Sequence, residues 1–235
     1  MSDLIMQLAG VIQRDIDSLN DVAQNIANAN TPGYRAGRTF NVLGPVQANA
    51  VNPGLASIHS ITALDTTGGA LHVTGKVTDL ALAGDGWFLL QTPDGQALTR
   101  DGRFSVDSQG QLVSHTGFPV MGDGGPLIVS GGVLEVDQAG QVQVGGSLVG
   151  QISVVKPNDS QQLIARGEGL YQSASILQPA SNFTVHQGVL ERSNAAMGNE
   201  MVRIMEASRH IESMQRALSA YDSMLNSGIN QIGKE

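Results

Sequence analysis

Five histidines, a glycine loop ending in lysine and a scatter of aspartates are the residues of this chain that could do chemistry. The histidines are His59, His72, His115, His186 and His210. A metal site or a general base needs such groups at ligand spacing. Only His210 has an acidic residue one helical turn away, Glu206, and no second histidine joins them. The stretch Gly69-Ala70-Leu71-His72-Val73-Thr74-Gly75-Lys76 imitates a phosphate-binding loop. It has one residue too many between its glycines, and Val77 stands where a Mg²⁺-binding Ser or Thr belongs. Asp85, Asp94, Asp101, Asp107 and Asp123 carry oxygens suited to calcium. They are spread over separate Gly-rich turns, where turn geometry itself favours Asp. No Gly-x-Ser-x-Gly nucleophile turn is present. The chain has no Cys, so thiolate metal sites, Cys nucleophiles and disulfides are excluded. No catalytic residue, metal or cofactor is expected. A carboxylate pair assembled by the fold, as in a secreted or periplasmic β-rich hydrolase or binding protein, is the alternative.

The elements around these residues fall into two kinds. From Leu4 to Ala29 the apolar residues Ile5, Leu8, Ile12, Leu19, Val22 and Ile26 keep helical spacing, and Ile5, Ile12, Leu19 and Ile26 lie seven apart. Thr31-Pro32-Gly33 stops this helix, which would be roughly 40 Å long. At the other end Leu190, Met197, Ile204, Ile211, Leu218, Leu225 and Ile232 are seven apart throughout, with Met201, Met205, Met214 and Tyr221 beside them. This predicts a helix from about 190 to about 231, roughly 60 Å long, capped by Ser193 or Asn194. Its solvent side would carry the pairs Glu200–Arg203, Glu206–His210 and Glu212–Arg216.

Between the helices, short apolar runs alternate with Gly-containing turns. Trp87-Phe88-Leu89-Leu90, Arg103-Phe104-Ser105-Val106, Gln141-Val142-Gln143-Val144 and Ile152-Ser153-Val154-Val155 read as strands. Turns this short make them antiparallel neighbours in a compact domain of roughly ten strands. The predicted fold is therefore a mainly β central domain, antiparallel with short strands, flanked by N- and C-terminal α-helices that form a coiled-coil-like assembly domain. Residues 1–34 form the N-terminal assembly helix, 35–70 an extended connector, 71–185 the all-β domain and 186–235 the C-terminal assembly helix.

Composition agrees with this division. The chain has 235 residues, of which 29 are Gly, 14% are charged and 4% are aromatic. The net charge, 13 − 21 = −8, argues against a protein built to grip nucleic acid or an anionic membrane. No stretch has the length of a membrane span, and Met1-Ser2-Asp3 opens no cleavable signal peptide. On these grounds alone the cytoplasm is the default location. A helix of roughly 60 Å is too long to be covered by a β domain of about a hundred residues. The apolar seams must face each other and neighbouring chains, ordering on assembly into an oligomer or an open helical filament. The assembly interface is expected at Ile5, Leu8, Ile12, Leu19, Val22 and Ile26, and at Met197, Met201, Ile204, Ile211, Leu218 and Leu225. Asn25, Asn28 and Asn30 either fix register or terminate the first helix. Pro32 and Gly33 redirect the chain outward.

Four stretches carry a resemblance that spans nearly the whole chain. They are Asn25-Ile26-Ala27-Asn28-Ala29-Asn30-Thr31-Pro32-Gly33-Tyr34; Asp85-Gly86-Trp87-Phe88 with Thr99-Arg100-Asp101-Gly102; Gly117-Phe118-Pro119-Val120-Met121-Gly122; and Gln187-Gly188-Val189-Leu190-Glu191 with Ser193-Asn194, Glu200-Met201-Val202 and Arg209. In order and spacing they resemble the bacterial flagellar basal-body rod protein family of rod and hook axial proteins. The short length and Gly124-Gly125-Pro126-Leu127 are closest to its proximal rod members, with a distal rod or hook protein as the alternative. The resemblance implies a structural axial component that self-assembles through its terminal helices, transmits torque and is needed for motility. It implies copies of itself, other rod proteins and the flagellar type III export apparatus as partners, with no nucleic acid and no small-molecule substrate. It replaces the cytoplasmic default with the basal-body rod in the periplasmic space, reached without a cleaved signal peptide. Absence of Cys suits a chain threaded unfolded into an oxidising compartment.

Overall fold

The computed structural model describes residues 2–43, 58–159 and 162–232, and of residues 2–9, 41–43, 58–61, 222 and 225–232 it describes the backbone. Helix α1 (Ser2–Ala27) is followed by strands β1 (Gly37–Leu43), β2 (Ile58–Leu64), β3 (Leu71–Val73), β4 (Leu80–Gly84), β5 (Trp87–Thr92) and β6 (Gly95–Thr99). Then come β7 (Ser105–Val106), β8 (Leu112–Val113), β9 (Met121–Gly122), β10 (Gly125–Pro126), β11 (Leu134–Val136), β12 (Gln141–Val144) and β13 (Ser147–Gln151). Strands β14 (Val154–Pro157), β15 (Leu163–Gly167), β16 (Leu170–Ser173), β17 (Leu177–Pro179), β18 (Phe183–Gln187) and β19 (Val189–Glu191) complete the β part, and helix α2 (Met197–Ile232) ends the chain. The fold is mainly β with one helix at each terminus, as the sequence predicts. The chain divides into two compact units: one gathers α1, β1 and α2, the other residues 27–36 and 63–195.

The β unit is organised around β5. The sheet order is β15-β16-β6-β5-β14-β17, with antiparallel ladders throughout. Trp87, Phe88, Leu89 and Leu90 are all buried, because β5 has a core on each face. Phe88 and Leu90 join Leu80, Leu82, Phe104, Val142 and Ile152 on one side. Trp87 and Leu89 join Leu98, Val155, Leu163 and Tyr171 on the other. A strand covered on both faces needs a continuous apolar run rather than an alternating one, which is what the sequence supplies.

Three aspartates in or beside the turns are used locally. Asp107 Oδ1 accepts hydrogen bonds from the backbone N–H of Gln109 and Gln111, both at 2.8 Å. Asp137 Oδ1 does the same for Ala139 and Gln141, at 2.9 and 2.8 Å. Asp101 is taken by the Arg103 guanidinium at 2.6 Å. The stretch resembling a phosphate loop holds strand β3, whose ladder partner is β19.

Three expectations are corrected. The connector 35–70 is not simply extended: β1 and β2 pair with each other, and Asn25 and Asp21 of α1 hold them. Asn25 Nδ2 donates to Gly37 O at 2.9 Å and Asn25 Oδ1 accepts from Gly37 N at 3.0 Å. Asp21 accepts from the Thr39 hydroxyl and, at 3.4 Å, from Thr62. The remainder of that stretch, residues 44–57, lies outside the described residues. The C-terminal helix starts at Met197, not near 186–190. Leu190, first member of the heptad series, lies in β19 opposite His72; the ladder and the burial of Glu191 override a spacing that one residue can match by chance. Finally, His210 pairs with Asp15 of α1 at 2.7 Å rather than with Glu206.

The helical unit has two defined levels. Asp15 meets His210, and Asn25 Nδ2 meets Glu200 Oε2 at 3.4 Å. Ten residues forward on α1 correspond to ten backward on α2, so the helices run antiparallel. Ile204, Ile211, Met214 and Leu218 are half-buried on α2, whereas Met197, Met201, Val202 and Met205 are exposed.

Candidate functional site

The residues that carry the four motifs are far apart in sequence, yet three of the motifs meet at one buried place in the β unit. The chain leaves α1 through a turn in which Thr31 N donates to Asn28 O at 3.0 Å and Tyr34 N to Thr31 O at 3.3 Å. Gly33 sits in the middle of it at φ +68°. A Cβ there would lie 2.2 Å from the Arg100 carbonyl carbon, so only glycine lets the backbones touch. Gly33 N donates to Glu191 O at 2.8 Å. This turn and β19 thus bring the two ends of the β unit side by side, one leading in from α1 and one leading out to α2.

Glu191 closes the junction with its side chain. Arg35 Nη1 lies 2.7 Å from Glu191 Oε1, with both side chains 1% exposed. Arg100 Nη1 lies 3.3 Å from Glu191 Oε2. Gly69 N donates to Oε1 at 2.8 Å. Arg100 also donates to the carbonyls of Leu82 at 3.0 Å and Gly84 at 2.7 Å. The guanidinium carbons of Arg35 and Arg100 lie 5.8 and 5.6 Å from the centre of the Trp87 ring, within cation–π range. Arg35 N donates to the Tyr171 hydroxyl at 2.8 Å, and the Tyr171 ring packs on Trp87 with centroids 4.8 Å apart. A second ring of bonds runs through Asn194. Its Oδ1 accepts from Ala36 N at 2.7 Å, and its Nδ2 donates to the carbonyls of Asp65 at 2.8 Å and Thr67 at 3.0 Å. Asn194, one of the two residues expected to cap α2, is used here instead.

Two cations face one carboxylate in this clasp. Burial pushes the Arg100 guanidinium below its ordinary value; Glu191 opposes that shift and the like charge of Arg35 adds to it. Burial likewise pushes the Tyr171 phenol up to about 12, so the hydroxyl stays protonated. Among the described residues, Arg35 Nε and Nη2 and Arg100 Nε have no hydrogen-bond partner. The π-face of Trp87 compensates part of the excess positive charge. Breaking such a pair from one side is costly, about 3–5 kcal/mol, because a bare charge is left in the interior.

The residues expected to form the assembly interface are placed as follows. Val22 and Asn25 are buried; Ile12, Leu19, Ile26, Ile204, Ile211 and Leu218 are half-buried; Met197 and Met201 are exposed. The side chains of Ile5, Leu8 and Leu225 lie outside those described. Asn28 Oδ1 accepts from the Thr31 hydroxyl at 3.2 Å, and Asn30 is exposed. Pro32 is half-buried in the turn that Gly33 shapes. The sequence reading did not single out Arg35, Arg100, Tyr171, Glu191 or Asn194 as site residues. Four of them lie inside or directly beside the quoted motifs, and that was the available signal.

A mainly β unit whose two chain ends are fixed at Glu191, with an amphipathic helix leading from each end, is the class of protein that the fold and the clasp define. The comparisons agree. Residues 81–164 match the family described as flagellar hook protein FlgE/F/G D1 domain, and residues 186–232 the flagellar basal body rod FlgEFG protein C-terminal family. The chain is 32% identical to the flagellar basal-body rod protein FlgF of Caulobacter vibrioides, covering 95% of this chain and 94% of that one. It is 33% identical to FlgF of Rhizobium meliloti, covering 92% and 91%. It is 31% identical to FlgG of Bacillus subtilis, covering 90% and 92%. The chain belongs to the flagellar basal-body rod protein family, with its likeness running to the proximal rod protein FlgF. It is a structural component of the flagellar basal body, working among other rod proteins, and is not an enzyme.

Proposed function

We propose that this chain assembles with copies of itself and with other rod proteins through its terminal helices, and passes torque along the rod from helix to β domain through the clasp at Glu191. It reaches the periplasmic part of the rod through the flagellar type III export apparatus, without a cleaved signal peptide. Motility depends on it. The interface consists of Ile5, Leu8, Ile12, Leu19, Val22 and Ile26 on α1 and of Met197, Met201, Ile204, Ile211, Leu218 and Leu225 on α2. Asn25, Asn28, Asn30, Pro32 and Gly33 set where α1 stops and how the chain turns.

The observation that carries this reading is the open apolar face of α2. Met201, Val202 and Met205 are 52%, 48% and 53% exposed, on a helix whose Ile204, Ile211 and Leu218 are half-buried. A helix with apolar residues on more than one side has a second surface to bury. Met side chains suit neighbours that differ slightly in shape. The clasp supports torque transfer, because α1 and α2 leave the β unit from segments fixed to the same side chain.

The test is Ile12→Asp combined with Ile211→Asp. The doubly substituted chain keeps a folded β domain by near-UV circular dichroism, is absent from purified basal bodies by immunoblot, and fails to restore spreading in soft agar to a strain lacking the protein. Normal basal bodies containing the substituted chain would overturn the assignment.

A further inference from the structure

A cleft of about 340 Å³ opens directly over the clasp. Trp87 and Arg100 line it, and Lys156, Asn158 and Gln178 stand at its sides with Asp85 as its only acidic member. Its charge differs from that of two other clefts among the described residues. One of those is lined by Arg166 against Asp94 and Glu168, the other by Arg38 and Arg203 against Asp21 and Glu206. Here two cations line the wall against one carboxylate, in a chain of net charge −8. Lys156 is exposed, and its side chain makes no ion pair or hydrogen bond among the described residues. Next to the cleft, Arg35 and Arg100 share the carboxylate of Glu191, with Asp85 also acting on Arg100, and three of their nitrogens have no acceptor among the described residues. The Trp87 ring that takes part of that charge is itself part of the cleft. A site with surplus positive charge held in place by burial is ready-made for an anion.

We propose that the cleft over Trp87 is a docking site for an acidic side chain, Asp or Glu, presented by a neighbouring protein chain. The Lys156 ammonium pairs with the incoming carboxylate. The amides of Asn158 and Gln178 donate to its oxygens, and the guanidiniums of Arg35 and Arg100 supply the attractive field. The choice of a protein carboxylate over a free anion follows from the composition: copies of this chain carry 21 acidic residues against 13 basic ones. This inference rests on the assembly reading for the existence of the neighbour, whereas recognition of a carboxylate by the cleft can be read without assembly.

The readout is built in, because Trp87 is the only tryptophan. Purified full-length chain is titrated with a blocked hexaglutamate peptide while Trp87 emission is followed. Blocked hexalysine and inorganic phosphate serve as comparisons. The expected result is a saturable change with hexaglutamate, none with hexalysine, and loss of the change at high salt. Lys156→Gln should raise the hexaglutamate midpoint at least about fivefold, the loss of roughly one charge-assisted contact, while leaving the urea unfolding midpoint unchanged. The Ile12→Asp, Ile211→Asp chain should respond as the parent does, so failure of the helix interface and failure of the cleft are distinguishable. No saturable change, or a midpoint indifferent to Lys156→Gln, overturns the proposal. Phosphate binding as tightly as hexaglutamate overturns it too, by making the cleft a free-anion site.

Discussion

At Glu191 a carboxylate is sealed from solvent and held between two guanidiniums; at Met205, two turns into α2, more than half of the side chain stands open. The clasp and the helices are consecutive in the chain but are finished to different degrees. In the clasp every segment is fixed by a partner inside the same unit: Gly33 by Glu191 O, Arg35 by Glu191 and Tyr171, Ala36 by Asn194. On the helices the polar links are sparse and the apolar residues only partly covered. The difference teaches that the chain fixes its own shape at the clasp and leaves apolar side chains uncovered on α2. The clasp is built from buried, mutually dependent charges. The open face of α2 is apolar and rich in adaptable Met.

Disturbing the clasp should cost the isolated chain far more than disturbing the helices. The largest effect is expected for Glu191→Gln, which leaves Arg35 and Arg100 buried without a counter-charge. Urea unfolding followed by Trp87 emission should show a loss of about 3–5 kcal/mol. A loss under about 1 kcal/mol would mean that the clasp is not what closes the β unit. Gly33→Ala comes next. The new methyl meets the Arg100 backbone and forces φ +68° on a residue with a Cβ, for a loss of about 2 kcal/mol or more.

Tyr171 gives the contrast a pH dependence. Its phenol is raised from 10.0 to about 12 in the folded chain, mainly by burial. A group whose folded value lies above its unfolded one stabilises fully below the unfolded value and loses that contribution as pH climbs to the folded value. The contribution of Tyr171 is therefore constant up to about pH 9 and disappears between about 10 and 12, a change of about 2–3 kcal/mol at most. Lysines titrate in the same range, so the quantity to measure is the stability difference between the parent chain and Tyr171→Phe. That difference should shift steeply between pH 10 and pH 12; a difference flat across this window would show that burial does not hold the hydroxyl protonated.

The two regions also differed in how much of them could be read from residues alone. The helices announce themselves by period: the first was expected to end at Thr31-Pro32-Gly33, and α1 ends at Ala27 with the turn directly after it. Trp87-Phe88-Leu89-Leu90 is legible as a strand for the same local reason. The clasp is not local. Nothing about Arg35 says that its partner is Glu191, and an ion pair between distant segments leaves no periodic mark. The same lack of local signal hid the pairing of β1 with β2, whose intervening chain is long, and placed the start of α2 too early. Leu190 satisfies a heptad by spacing, yet its neighbour Glu191 is required in a strand. What the motifs did supply was the list of residues from which the clasp is made, without the pairing that gives them meaning.

The smallest expected effect lies on the helices and sharpens the comparison from the other side. Asp15 and His210 form a close link between α1 and α2, 2.7 Å in length, but both are open to solvent, 21% and 51% exposed. Exposed pairs of this kind contribute little, and salt weakens them further. Asp15→Asn should therefore change the urea midpoint of the 222 nm helix signal by no more than about 0.5 kcal/mol in free energy, with the difference vanishing in about 1 M salt. A loss above about 2 kcal/mol would show a helix pair locked as firmly as the clasp, and the isolated chain would then be finished at both places. A small loss in the isolated chain, combined with the failure of Ile12→Asp and Ile211→Asp chains to enter basal bodies, would place the energy that orders these helices in the contacts made between chains.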